Sequence, residues 1–454
     1  MQRDIHQSAL PKDRDVGQPG DRLRVELEVL ADEAQSAGLL RHQHAPIGQE
    51  GERPGLLEAA HQLDHAKIVL LGALRLRRRG QRRERAGHES EEDFHQSILT
   101  HNRAMRSAVV IGAQGVIGRY IVDKLASLPD WQVVGLSRRR GVDAPRVRHI
   151  SVDLLDPADA AAKLSGLADA THVFFAAFQP GAGPAADYAK NIAANRDLLV
   201  NSVSAIDKAS SRLERVVLVT GTKYYGTHLG PYKTPAREDD PRHAGANYYF
   251  DQIDWLAAFQ KGRRWSWTEL RPQTLCGFAP GTAMSIVPVI AVYAAMRKEL
   301  RLPLAFPGKA WSSLYQVTES AHFAEAAHWA ATEPRCANQA YNITNGDYFR
   351  WQHVWPRIAR VFDMPAAQPQ PHSLVDFMRD KAPRWDAMVK RHGLQPHRFE
   401  EIVAWPFGDY VFNCDWDVMS NVTKSRLDGF HAVVDSEQMF ERLLARFRAE
   451  RIVP

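Results

Sequence analysis

Ala108-Val-Val-Ile111 runs directly into Gly112-Ala-Gln-Gly115-Val-Ile-Gly118, and Arg119 to Leu128 continues as an amphipathic stretch. A short apolar run, a glycine turn and a helical period in immediate succession predict strand, turn and helix. The first glycine permits a tight turn, the second lets backbone approach a pyrophosphate, and the third lets helix pack on strand. The helix N-terminus then presents its partial positive charge to phosphate. Gly112, Gln114, Gly115, Val116, Ile117 and Gly118 are therefore expected to hold a dinucleotide. The spacing is GxxGxxG, in place of GxGxxG.

The next apolar run, Trp131 to Leu136, ends in Ser137-Arg138-Arg139-Arg140. An acid at this point would accept hydrogen bonds from a ribose 2′-hydroxyl and repel a 2′-phosphate, whereas arginine attracts the phosphate and can bind it bidentately. Ser137, Arg138 and Arg139 thus indicate NADP(H) as the cofactor. A third strand, Val147 to Val152, leads to Asp153 and Leu154, expected beside the adenine. A fourth, Thr171 to Ala177, brings Ala176 beneath the nicotinamide ribose. The fifth, Arg215 to Val219, is strongly apolar and ends at Thr220-Gly-Thr-Lys223-Tyr-Tyr. The sixth, Ser266 to Leu270, is followed by Arg271-Pro272.

The alternation of strands and helices predicts an α/β fold, a Rossmann-type doubly wound parallel sheet. After residue 280 the periodicity becomes helical at Ile286–Leu300, Thr318–Thr332, Trp351–Phe362, Leu374–Met388 and Ser436–Phe447. The expected organisation is a nucleotide-binding domain over 105–280 and a mainly helical substrate-binding region over 281–454. Trp311, Trp405, Phe407, Tyr410, Phe412 and Trp416 are candidates to line an apolar pocket there, each also a candidate for core packing.

Residues 1–104 differ in kind. Of the 11 Trp, 12 Tyr and 18 Phe in the chain, Phe94 alone lies before residue 105. Such a segment can bury little, so it is expected either to be a disordered extension or to arise from a start codon placed upstream of Met105. Its arginine run, Arg75 to Arg85, has no interleaved aromatics and reads as a solvated surface, not a nucleic-acid patch. The whole chain of 454 residues is 44% hydrophobic and 24% charged with a net charge of +5, ordinary for a globular protein. Three dispersed cysteines, Cys276, Cys336 and Cys414, argue against a disulfide framework and against a metal site. The N-terminus lacks an apolar signal core, and no apolar run approaches the roughly 18 residues of a membrane span. The expected location is cytoplasmic, with no metal, no nucleic acid and no membrane partner.

Most short-chain dehydrogenases carry Tyr-x-x-x-Lys on one helix. Here the spacing occurs only at Tyr120 and Lys124, on the helix after the glycine turn, where it is a coincidence. Instead, four stretches resemble the progesterone 5β-reductase and iridoid synthase family of extended short-chain dehydrogenases. They are Thr220-Gly-Thr-Lys223-Tyr-Tyr, Asn247-Tyr-Tyr249-Phe-Asp-Gln-Ile-Asp254, Asn345-Gly-Asp-Tyr-Phe-Arg-Trp351 and Val422-Thr-Lys-Ser-Arg426-Leu-Asp-Gly429-Phe430. The resemblance covers about residues 105–454.

It implies Lys223 as catalytic lysine, Tyr249 as catalytic tyrosine, Tyr248 as a packing aromatic, and Pro272 in a loop passing the nicotinamide amide. It implies NADPH-dependent reduction of an alkene conjugated to a carbonyl, with a small apolar enone or carbonyl compound as substrate and a homodimer left open. Alternative readings are a carbonyl reductase, a sugar-nucleotide epimerase or dehydratase, which would need Tyr-x-x-x-Lys in mid-domain, and a non-catalytic NADP sensor of the NmrA kind. Cys276, His228 and His243 are expected to be loop residues without catalytic work.

Overall fold

The computed structural model describes residues 105–180, 190–282 and 284–454. The sequence expectations for residues 1–104 lie outside them. The apolar runs identified above form parallel strands β1 (Arg106–Ile111), β2 (Trp131–Ser137), β3 (Val147–Ser151), β4 (His172–Phe175), β5 (Arg215–Val219) and β6 (Ser266–Pro272). A seventh strand, β7 (Gln339–Ile343), pairs in parallel with β6. The sheet runs β7-β6-β5-β4-β1-β2-β3. The strand order reverses between β1 and β4, and in such sheets a ligand crevice opens at that reversal, beyond the carboxyl ends of the strands.

Buried on both faces, the strands need cover from two sides. One face packs against α1 (Gly118–Ser127) and, from farther along the chain, α6 (Ser320–Thr332); Ile121, Leu125, Phe323 and Ala327 share that core. The other face packs against α2 (Pro157–Leu164), α3 (Lys190–Ala209) and α4 (Tyr248–Gln260), where Leu199, Val203, Ile206 and Leu256 meet Val173, Val216 and Leu218. The chain is thus α/β and doubly wound.

A separate core gathers the later helices around α5 (Ile286–Glu299), whose residues from Ile286 to Arg297 are all buried. Around it pack α7 (Trp351–Val361), α8 (Leu374–Met378), α9 (Ala382–His392), α10 (Phe399–Ile402), α11 (Trp405–Phe412) and α13 (Ser436–Ala449), with the short α12 (Thr423–Leu427) reaching back to β7. Trp351, Trp355, Phe306 and Phe412 interlock edge to face within this core.

Three details depart from the sequence reading. The helix expected over Leu374–Met388 is two helices, because Pro383 lacks an amide hydrogen and occupies the first turn of α9. The helix expected from Thr318 begins at Ser320, since Thr318 and Glu319 pair as a strand with Leu275 and Cys276. Beyond residue 280, in the region expected to be mainly helical, the chain also contributes β7 to the sheet. No helix of the described residues is long and apolar enough to cross a membrane, and no group of His, Cys, Asp or Glu among them could hold a metal ion.

Candidate active site

A cleft of about 630 Å³ lies at the reversal of strand order. Its floor is the glycine turn. Gly112 has a φ of +83°, and a Cβ there would stand 2.7 Å from the carbonyl oxygen of Ala176, so only glycine lets β1 leave the sheet against the end of β4. At Gly118 a Cβ would meet the carbonyl oxygen of Gly112 at 2.1 Å, which ties α1 to the turn. Ile117, the residue before α1, supplies no side-chain cap, and the Arg119 amide bonds the Gly115 carbonyl at 3.2 Å, so the glycine turn runs straight into the helix. Gly112, Gln114, Gly115, Val116 and Ile117 all line the cleft, while Gly118 is buried behind them.

One wall is the end of β2. Ser137, Arg138 and Arg139 line the cleft, and Arg140 instead pairs with Asp143 at 3.0 Å. The Ser137 hydroxyl donates to the carbonyl of Arg139 and that of Ser151 to the carbonyl of Arg138, pinning the arginine turn. Asp153 and Leu154 form the next wall. The Asp153 carboxylate accepts from the amide of Leu155, shaping the loop on which both stand. Ala176, Phe178 and Gln179 close the far side. Fully buried Asn195 clamps that segment, accepting from the Gln179 amide at 2.8 Å and donating to the Gln179 carbonyl at 3.0 Å. A helix start without a side-chain cap, cleft-lining arginines and an apolar slot suit a dinucleotide.

Lys223, Tyr249 and Pro272 do not line this cleft; they stand beside it, where β5 and β6 end. Residues Thr222–Tyr225 form a single 3₁₀ turn after β5. Tyr249 lies in the first turn of α4, and its hydroxyl would be 3.1 Å from a Cβ on Gly221, next to the carbonyl of Pro272. Asn247 ties the two segments: its amide nitrogen donates to the Lys223 carbonyl at 2.9 Å, and its oxygen accepts from the Tyr249 amide at 3.0 Å. Tyr248 connects them to the cleft, its ring 4.4 Å from that of Tyr249 and 5.7 Å from that of Phe178.

Burial sets the charges. It pushes the Tyr249 phenol up to about 12, against a hydrogen bond with Tyr248 that lowers it, so the group is protonated at neutral pH and available as a donor. Burial lowers the pKa of the Lys223 ammonium. His228 is driven down to about 4, first by burial and then by Lys223 and His243. Tyr410, offered by α11, places its ring 5.9 Å from the Lys223 nitrogen and its hydroxyl 3.3 Å from that of Thr227.

Tyr410 is thus the aromatic that joins the helical region to the lysine. All six pocket candidates, Tyr410 included, lie in or against the helical core. Phe412 is fully part of the helical core, and Trp311, Trp405, Phe407 and Trp416 pack against that core and do not line the cleft.

Arg271, the residue before Pro272, belongs to a buried strut. It forms a two-pronged pair with Glu269 at 2.8 Å, donates to the Tyr225 hydroxyl at 2.9 Å, and stacks 3.5 Å over the Tyr224 ring. Tyr120 donates no chemistry to the site. Its hydroxyl accepts from the Phe278 amide, and Lys124 pairs with Glu325. Cys276 is fully buried and its thiol is pushed up by burial, consistent with packing.

Sequence reasoning misses Asn247 although it opens the tyrosine motif. The signal that could have found it is an asparagine directly before a helical run, the usual cap. Phe178, Gln179, Thr282 and Met284, which line the cleft from separate loops, carry no such signal.

Residues 147–454 match the family model of the PRISE-like Rossmann-fold domain. A short chain dehydrogenase, gsfE, of Penicillium aethiopicum is 31% identical over 77% of this chain and 99% of its own length. An (S)-8-oxocitronellyl enol synthase of Nepeta cataria is 33% identical over 76% of this chain and 93% of its own. A 3-oxo-Delta(4,5)-steroid 5-beta-reductase of Arabidopsis thaliana is 32% identical over 76% and 93%. Among solved structures, a UDP-glucose 4-epimerase of Thermotoga maritima with UDP-glucose superposes with a TM-score of 0.55 over 76% of this chain and 99% of that one, at 14% identity, a likeness of fold.

Proposed function

Because the chain belongs to the PRISE-like Rossmann-fold family, a family with relatives named as enol synthase and steroid reductase, we propose that it is an NADPH-dependent reductase of carbon–carbon double bonds conjugated to a carbonyl. The observation that carries this reading is the joining of Lys223 and Tyr249 through Asn247 beside a dinucleotide cleft. Gly112 to Ile117 would receive the pyrophosphate, Arg138 and Arg139 the 2′-phosphate, and Asp153 with Leu154 the adenine.

NADPH, when bound, supplies the hydride. The protein's part is to hold the conjugated substrate so that its β-carbon is the atom presented. As the substrate's carbonyl oxygen gains charge, the protonated phenol of Tyr249 donates to it. A preorganised donor aimed at developing charge is worth several kcal/mol of barrier. Lys223, on the segment that Asn247 ties to the start of the Tyr249 helix, supplies positive charge to the same oxygen and a donor toward the ribose. The surrounding aromatics keep the region dry, which strengthens both interactions.

The test follows NADPH consumption with 2-cyclohexenone, a linear enal, progesterone and a saturated ketone. The enones and enal are turned over and the saturated ketone is not. Tyr249→Phe, which keeps the ring, retains NADPH binding and loses turnover, by a factor on the order of 10–100 since conjugation already spreads the charge. Lys223→Ala loses turnover and weakens NADPH binding as well. Turnover of the saturated ketone alone would identify a carbonyl reductase instead. NADPH binding without turnover of any of these compounds would overturn the reading in favour of a sensor.

A further inference from the structure

Lys223 and Tyr249 are on different elements, separated by a long loop, so their mutual placement is not inherited from one helix as it is in Tyr-x-x-x-Lys. Something must set it. Asn247, 1% exposed, is a side chain that touches both segments. Its oxygen accepts from the Tyr249 amide and so caps α4. Its nitrogen carries two hydrogens. One goes to the Lys223 carbonyl at 2.9 Å, and the other faces Nε2 of His243 at 3.1 Å. Nδ1 of His243 lies 2.7 Å from the Ala244 carbonyl, an acceptor only, which makes Nδ1 the protonated nitrogen and Nε2 the acceptor. The Asn247 amide therefore has two acceptors at its nitrogen end and one donor at its oxygen end. This fixes which way round it sits.

We propose that Asn247 is a positioning residue that fixes the distance between Lys223 and Tyr249, with His243 holding its amide in the working orientation. The proposal rests on the catalytic assignment of those two residues. It goes further than helix capping, because a cap needs the oxygen alone, whereas registering the two segments needs the nitrogen too.

That difference supplies the test. Asn247→Asp keeps an oxygen for the Tyr249 amide, and aspartate caps helices as well as asparagine does. It removes both donors and sets a carboxylate against the Lys223 carbonyl. The full-length variant is compared with wild type in thermal unfolding, in turnover of 2-cyclohexenone with NADPH, and in amide hydrogen exchange of the peptides spanning residues 221–228. The expected result is a lowered melting temperature, because a buried carboxylate then faces a carbonyl, kcat lower by roughly 10–100-fold, as small misplacements at a site can cause, and faster exchange confined to 221–228. Asp435→Ala, which removes the cap of the remote α13, lowers the melting temperature and leaves kcat unchanged. Wild-type kcat in Asn247→Asp overturns the proposal, as does lost turnover with unaltered exchange at 221–228. If wild type turns over none of the test substrates, the enone reading fails. The exchange measurement still decides this one: acceleration confined to 221–228 supports the tie, and unaltered exchange refutes it.

Discussion

The strut beneath the active site can be tested by Arg271→Met. Arg271 and Glu269 are 3% and 1% exposed. The guanidinium makes two bonds of 2.8 Å to the carboxylate, one of 2.9 Å to the Tyr225 hydroxyl and one of 3.2 Å to the Glu238 carbonyl, and lies 3.5 Å from the Tyr224 ring. Burial alone would lower the Arg271 pKa, but the Glu269 carboxylate outweighs it and the net direction is up. Methionine fills most of the stem and leaves the carboxylate of Glu269 buried, with the Thr220 hydroxyl at 2.6 Å still donating to it.

Stranding one member of a buried pair costs about 3–5 kcal/mol. The lost stacking on Tyr224, worth about 2 kcal/mol when desolvated, overlaps that figure and is not added to it. A loss of about 3–5 kcal/mol is a large part of the 5–15 kcal/mol typical of a folded domain. The assay is urea unfolding followed by tryptophan fluorescence. Glu269→Leu added to Arg271→Met removes the stranded charge, and the double variant is expected to recover at least about 1.5 kcal/mol relative to the single one. Turnover in both variants should fall, because the Thr222–Tyr225 turn carrying Lys223 loses its seat. A single variant within about 1 kcal/mol of wild type, or a double variant no more stable than the single, would refute the reasoning.

Three further outcomes are expected. Wild type binds NADPH more tightly than NADH by roughly 1–3 kcal/mol per charged contact to the phosphate, and Arg138→Ala with Arg139→Ala narrows the gap in a calorimetric titration; equal affinity in the native protein contradicts the assignment of these cleft residues. Gly118→Ala brings a methyl to 2.1 Å from the Gly112 carbonyl oxygen, so α1 must shift and NADPH affinity should fall by at least about tenfold; unaltered affinity would show that the turn yields freely. A chain shortened to begin at Met105 is expected to fold and turn over like the full chain, as judged by its melting temperature and kcat; loss of either would give residues 1–104 a structural role.

The parts legible in the sequence are those settled within a few consecutive residues. Ala108 to Gly118 contains its own strand, turn and helix start, because a turn's geometry depends on the glycines inside it. The identity of the groups after β2 is equally local, since Ser137, Arg138 and Arg139 occupy the end of a strand whose direction and neighbours follow from its apolar run. The Lys223 and Tyr249 motifs can be found by resemblance, but nothing in their spacing places one against the other.

What tertiary structure decided are the meetings of distant segments. The side chain of Asn247 reaches the Lys223 carbonyl only because α4 starts beside the turn after β5. Arg271 turns to Glu269, Tyr224 and Tyr225, since a guanidinium in a dry interior goes where a carboxylate and aromatic faces already stand. Gln339–Ile343 is a strand because β6 offers an open edge; its own few residues carry too weak a period to announce it. Phe412 and Tyr410, two positions apart on one helix, differ for the same reason: Phe412 is buried in the helical core, while Tyr410 packs against that core and also faces Lys223. Periodicity shows that a helix has an apolar side, and only the packed neighbours determine which side chain meets the core and which meets the site.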